Sequence, residues 1–171
     1  GIEPGLEATV FYEPEMPTTC SYASHAAKVE VDIETGIVKM LDYYVVDDCG
    51  VQVNPKTVHG QAHGAVAHGI GGTIYEHLEY DENGQLLAST FMDYLIPSSK
   101  EIPDIKVEST VTPSRGAGGF KGMGEGGSIG APGAITNALD NALSPFNVKI
   151  VETPLSPEKV LSLIRDARRG A

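Results

Sequence analysis

Only two cysteines, Cys20 and Cys49, occur in the 171 residues. Two thiols cannot build the disulfide framework of a small secreted domain, and they form no Cys-x-x-Cys pair for zinc or redox work. A reduced, cytoplasmic setting is therefore the expectation. Basic residues are scarce as well: 12 Lys and Arg stand against 23 Asp and Glu, a net charge of −11. A nucleic-acid binder needs a basic face to neutralise phosphates, so the balance argues against that class. It leaves room for a small anionic ligand, because backbone N–H groups hold phosphates without Lys or Arg. Gly1 to Val10 is acidic and lacks the apolar run of a signal peptide. No stretch approaches the roughly 20 apolar residues of a membrane span. No Met precedes Gly1, which reads as a processed chain, a fragment or an excised domain.

What is present is enough to fold. Hydrophobic residues make up 41% and charged residues 20%, so a real core is expected and wholesale disorder is not. The length fits one domain, 1–171, or two small lobes, 1–112 and 113–171. Leu6 to Tyr12 and Ser21 to Asp32 read as strands; Val29 and Val31 alternate with Lys28, Glu30 and Asp32. Glu34-Thr35-Gly36 turns the chain into a return strand, Ile37 to Val46. Asp47 to Pro55 reads as a polar loop. Val58, Ala62, Ala65, Val66, Gly69, Ile70 and Ile74 recur at helical spacing over 57–76. Five glycines interrupt that helix at about 1 kcal/mol each relative to Ala, so close packing against it is expected to offset them.

A second hairpin is expected from Ile74 to Phe91, turning at Asp81 to Gly84, since Asn-Gly favours tight hairpin turns. Phe91-Met-Asp-Tyr-Leu-Ile-Pro97 has a buried acidic or aromatic look, with no catalytic role assigned. Ile105 to Thr112 and Val148 to Val151 read as strands. Pro132 opens a helix carrying Ile135, Leu139 and Leu143, and Ser156-Pro157 caps and opens the last one. The expected class is α+β, with β-hairpins and a mixed sheet packed against about three helices.

The glycine-rich stretch Gly116-Ala-Gly-Gly-Phe-Lys-Gly-Met-Gly-Glu-Gly-Gly-Ser-Ile-Gly130 is the most informative. It holds one carboxylate, Glu125, and one cation, Lys121, a few residues before a helix N-terminus. Such a loop can bring backbone N–H groups to an anionic ligand and present a single carboxylate to it. Gly122-x-Gly124-x-x-Gly127 formally matches the dinucleotide fingerprint, but no βαβ unit surrounds it. A P-loop fails because Phe120 rather than Gly precedes Lys121. A flexible surface loop is the plain alternative. Gln61 lies one turn inside the glycine-interrupted helix, where an amide can meet a heterocycle; a capping turn with a packing helix is the reading that the residues alone favour. His59 and His63 share a helix face but lack an HExxH pattern, and no metal ligands are assigned. Cys49 reads as a small buried hydrophobe.

These segments together resemble the carbon monoxide dehydrogenase-type branch of the molybdenum hydroxylase (xanthine oxidase) superfamily. Val45-Val-Asp-Asp-Cys-Gly50 with Asn54-Pro55 and Gly60-Gln61 is similar to the family's cofactor-side motif. Phe91-Met-Asp-Tyr-Leu-Ile-Pro97 looks like a branch signature, and Gly122-Met-Gly-Glu125 resembles the Gly-x-Gly-Glu active-site signature. The resemblance covers essentially the whole chain, as the C-terminal part of the molybdopterin-binding domain of a large subunit several times longer. It departs at Gly126-Gly127, where larger residues often follow the Glu. The copper-bearing cysteine of carbon monoxide dehydrogenases proper has no counterpart in this chain, so copper does not carry over.

The resemblance implies molybdopterin carrying molybdenum, commonly the cytosine dinucleotide form in prokaryotes. It implies a glutamate acting as base at the metal's hydroxyl, and Glu125 matches it. Gln61 matches a pterin-contacting glutamine, and Lys121, Gly122 and Gly124 are adjacent candidates for cofactor contact. The implied partners are the rest of the large subunit, iron–sulfur and FAD subunits, and a small aldehyde, heterocycle or carbon monoxide-like substrate. No cofactor is expected on the isolated chain. The competing readings are a non-catalytic fragment or assembly module and, more remotely, a nucleotide-binding module.

Overall fold

Two long antiparallel strands begin the architecture. In a computed structural model describing residues 5–13 and 19–170, β1 (Tyr22–Val31) pairs with β2 (Val38–Asp48) from Tyr22 opposite Asp48 to Val31 opposite Val38. The turn between them is closed by Asp32, whose carboxylate accepts the Glu34 and Thr35 amides. Gly36 follows at a φ of +77°, the left-handed region that favours glycine. A register shift at Lys28/Val29 leaves Leu41 as the extra residue of a bulge. β3 (Ile105–Ser109) lies on the other side of β2 and runs parallel to it, giving a mixed sheet of order β1-β2-β3.

Alternation along β2 buries Val38, Met40, Tyr43, Val45 and Asp47. Helices cover these residues. The first, α1 (Pro55–Ile70), starts where the Asn54 side chain accepts the Lys56 and Thr57 amides. α2 (Ala131–Leu143) lies against β1, and α3 (Pro157–Gly170) completes the set. Val66, Ile70, Ile135, Leu139, Leu143, Leu155, Val160 and Ile164 meet Tyr43 and Val45 in one cluster drawn from the sheet and all three helices. No helix among the described residues is long and apolar enough to cross a membrane.

The α+β class and the first hairpin match the sequence reading; several elements differ. The helix expected over 57–76 begins at Pro55, ends as α-helix at Ile70 and widens into a π-helical turn, Gly71–Tyr75. There the Thr73 hydroxyl donates to the Gly69 carbonyl at 2.6 Å, competing with the regular ladder. The second hairpin keeps its turn, with Asp81 accepting the Asn83 and Gln85 amides, but only the Tyr80–Leu86 bridge forms. The π-helical turn takes Ile74 and Tyr75, and a lone two-stranded ribbon has little independent stability. Residues 5–13 are irregular and exposed rather than a strand. The Val148–Val151 segment is not a strand either: the Ile150 amide donates to the Asp140 carboxylate on α2 instead of to a ladder. Phe91 and Met92, expected to be buried, are 84% and 88% exposed.

Candidate functional site

The glycine-rich loop is stitched to the end of β2 before it reaches Glu125. Phe120 bridges Gly50, the Lys121 amide donates to the Cys49 carbonyl at 2.7 Å, and the Val51 amide donates to Gly119 at 3.0 Å. Gly50 sits at a φ of +67°, and a Cβ there would run into the Gly119 carbonyl, so the junction requires glycine.

Side chains lock this junction. Lys121 Nζ lies 3.1 Å from Asp48 Oδ1 and donates to Thr112 Oγ1 at 2.7 Å, and both charged side chains are under one-tenth exposed. The Thr112 hydroxyl donates to Asp48 Oδ2, and the Gly50 and Thr112 amides also donate to that carboxylate. The Thr112 hydroxyl first, with these amides and the Lys121 ammonium, holds the Asp48 carboxyl well below the usual carboxylate range. The ammonium also lies 4.7 Å from the centre of the Tyr22 ring.

Further along, two side chains from different elements grip the carbonyls on either side of Glu125. Gln61 on α1 donates from Nε2 to the Gly124 carbonyl at 2.7 Å. His25 on β1 places Nε2 3.1 Å from the Gly126 carbonyl oxygen, while its Nδ1 lies 2.8 Å from the Tyr43 hydroxyl. Gly127 is buried against α1; a Cβ there would sit 2.7 Å from the Ala62 carbonyl oxygen and 2.8 Å from Ala65 Cβ. The Glu125 carbonyl accepts the Ser128 and Ile129 amides at 3.0 and 3.2 Å, a turn that leads into α2. The Glu125 residue is exposed.

The glycines divide into two groups. On α1, Gly69 is where Ala131 of α2 crosses too closely for a Cβ. Gly60 and Gly64 have open space above them, as do Gly122 and Gly124 in the loop. Close packing therefore accounts for only part of the glycine content of the helix. Gly60, Gly64, Gly122 and Gly124, with Gln61 and Glu125, are all drawn from the loop and the helix that the Gln61–Gly124 bond joins. Because the Gln61 amide nitrogen faces the loop, its carbonyl oxygen remains to accept from a ligand.

Of the residues singled out in the sequence, Gln61, Gly122, Gly124 and Glu125 thus lie on elements tied directly together. Lys121 is tied in through its backbone, and its charge is engaged by Asp48 and Thr112. His63 donates from Nδ1 to the His59 carbonyl at 2.7 Å, and no group of three potential metal ligands lies together among the described residues. Burial, followed by the neighbouring Asp47 charge, pushes the Cys49 thiol up, away from nucleophilic reactivity. Sequence reasoning missed His25, Tyr43, Asp48 and Thr112 as holders of the loop. The alternation His25, Ala27, Val29, Val31 does mark the histidine as inward-facing, and that signal was available.

The sequence profile of the molybdopterin cofactor-binding domain family matches residues 2–103. The chain is 45% identical over 162 residues to the nicotine 6-hydroxylase large subunit of Paenarthrobacter nicotinovorans, covering 94% of this chain and 20% of that protein. It is 33% identical over 154 residues to the carbon monoxide dehydrogenase large chain of Afipia carboxidovorans, covering 90% and 19%. Its fold superposes on quinoline 2-oxidoreductase from Pseudomonas putida 86 with a TM-score of 0.81 at 43% identity, covering 83% of this chain and 18% of that one. The chain therefore spans about a fifth of the length of these relatives.

Proposed function

Because the chain belongs to the molybdopterin cofactor-binding domain family of molybdenum hydroxylase large subunits, we propose that it supplies the catalytic base of such an enzyme, and that the base is Glu125. The observation that carries this reading is the 2.7 Å bond from Gln61 Nε2 to the Gly124 carbonyl. It joins the helix amide to the open glycine backbone that immediately precedes Glu125, an arrangement that suits a flat heterocycle with an acidic residue next to it in the chain.

The residues divide the work. Gln61 offers its carbonyl oxygen to the pterin. Gly122 and Gly124, which carry no side chain to obstruct it, let the cofactor approach the backbone. Lys121 contributes to cofactor contact by fixing Gly122 to Gly124 through its pair with Asp48. When bound, the molybdenum–pterin group supplies two-electron oxidation of the substrate. Glu125 accepts a proton at its exposed carboxylate, a role suited to a general base placed within hydrogen-bond reach.

We read the cofactor as the cytosine dinucleotide form, on the likeness to prokaryotic large subunits. The remainder of the large subunit and iron–sulfur and FAD subunits complete the enzyme, in the cytoplasm. Among small aldehydes, heterocycles and carbon monoxide-like molecules, a nitrogen heterocycle is favoured. Two relatives above 40% identity are named for nicotine and quinoline.

The test is Glu125→Gln in the assembled enzyme. Molybdenum content is expected to stay at the wild-type level while kcat falls by roughly 10²–10⁴-fold, the usual span for losing a general base. Wild-type turnover in that variant would reject the assignment.

A further inference from the structure

His25 lies 101 positions from the loop it touches, on an edge strand and outside every motif. We propose that His25 is a positioning residue for Glu125, holding the turn that carries the carboxylate by donating from Nε2 to the Gly126 carbonyl while Nδ1 accepts the Tyr43 hydroxyl proton. The proposal rests on the reading of Glu125 as the base.

Hydrogen-bond chemistry permits one tautomer. A carbonyl oxygen only accepts, so the Gly126 contact requires the proton on Nε2. In the neutral ring Nδ1 is then a lone pair, and the Tyr43 hydroxyl, 2.8 Å away, must donate to it. Tyr43 is fully buried in the sheet core, so this hydroxyl is a fixed reference point rather than a solvent-mobile one. Burial also lowers the His25 pKa, consistent with a neutral ring. The ring packs so closely on Gly130, just before α2, that a Cβ at that glycine would collide with it.

The geometric consequence falls on one residue. Gln61 holds the carbonyl before Glu125 and His25 the carbonyl after it. The Glu125 carbonyl is itself closed onto Ser128 and Ile129. With the His25 bond removed, the turn keeps its upstream hydrogen bond and loses its downstream one, leaving only the packing of Gly127 on α1 to hold that side. A misplacement on the order of 1 Å at a reacting group can cost about 10²-fold in rate.

The test uses the complete holoenzyme with His25→Phe, which keeps a ring against Gly130 but has no donor, and His25→Gln, whose amide nitrogen can replace Nε2. His25→Phe is expected to lower kcat by about 10–100-fold with KM within about twofold and molybdenum retained. His25→Gln should recover most of the loss. A second readout needs no turnover: hydrogen exchange at the Ser128 and Ile129 amides in the full-length subunit should quicken at least about tenfold in His25→Phe and revert in His25→Gln. Unchanged kcat and exchange in His25→Phe, or an equal loss in both variants, would overturn the proposal. Combining His25→Phe with Glu125→Gln separates the two readings. If Glu125→Gln alone leaves turnover intact, the base assignment fails. If it abolishes turnover and His25→Phe is silent, only the positioning role fails. If both act, the double variant should be no slower than Glu125→Gln alone.

Discussion

Asp48 shows how one residue fixes a site it does not belong to. Its carboxylate accepts from a threonine hydroxyl, two backbone amides and a lysine, and through that lysine it ties the glycine-rich loop to the sheet. Its folded-state pKa is lowered, so the stabilisation it gives is fully present above the unfolded value of about 3.9 and is lost as pH falls below it. Asp48→Asn leaves the Lys121 ammonium without its counter-charge in a nearly closed environment. Its melting temperature at pH 7 should therefore fall below wild type, and the gap should narrow as pH drops through about 4. Thermal melts of the two proteins from pH 7 to 2.5 check this; a gap independent of pH would show that the carboxylate is not so tuned. Glu125 stands out at this scale as a single carboxylate among glycines, which is why it is proposed as the base. The Asp48–Lys121 pair was not legible in the sequence, because it joins positions 73 residues apart and only the fold brings them together.

At the scale of elements, local rules worked where the signal is local. The hairpin of β1 and β2 follows from the Val29/Val31 alternation and a Gly36 turn, and α3 begins at the Ser156-Pro157 pair read as its start, whereas α1 begins two residues before its expected start, at Pro55 after an Asn54 cap. The π-helical turn and the parallel partner of β2 depend on what packs where, which periodicity does not encode. The same applies to the α1 glycines, whose two roles are separable by experiment. Gly69→Ala forces a methyl into Ala131 and should destabilise the chain by about 1–3 kcal/mol, the range for overpacking. Gly64→Ala meets nothing and should stabilise it by up to about 1 kcal/mol, the helix-propensity difference. Urea unfolding of both variants gives the two signs. Destabilisation by Gly64→Ala in the isolated chain would mean the outer face of α1 is not open.

At the scale of the molecule, apolar surface is left uncovered. Phe91, Met92, Leu95 and Ile96 stand exposed in one short stretch, and the chain is about a fifth as long as its relatives. Apolar clusters of this kind mark surfaces that meet another chain or domain. The chain purified alone should contain no molybdenum and show no hydroxylase turnover, measured by metal analysis and substrate oxidation. Stoichiometric molybdenum with turnover would show that this piece encloses the cofactor unaided.

Holding both carbonyls that flank Glu125 has a dynamic consequence. The conformational entropy of this glycine-rich stretch, which is high for any free loop, is lost once, when the polypeptide folds. Afterwards the carboxylate retains only its own side-chain torsions, which reorient in picoseconds to nanoseconds, rather than the slower wandering of a loop. If Glu125 is the base proposed above, it receives a proton without its backbone having to rearrange.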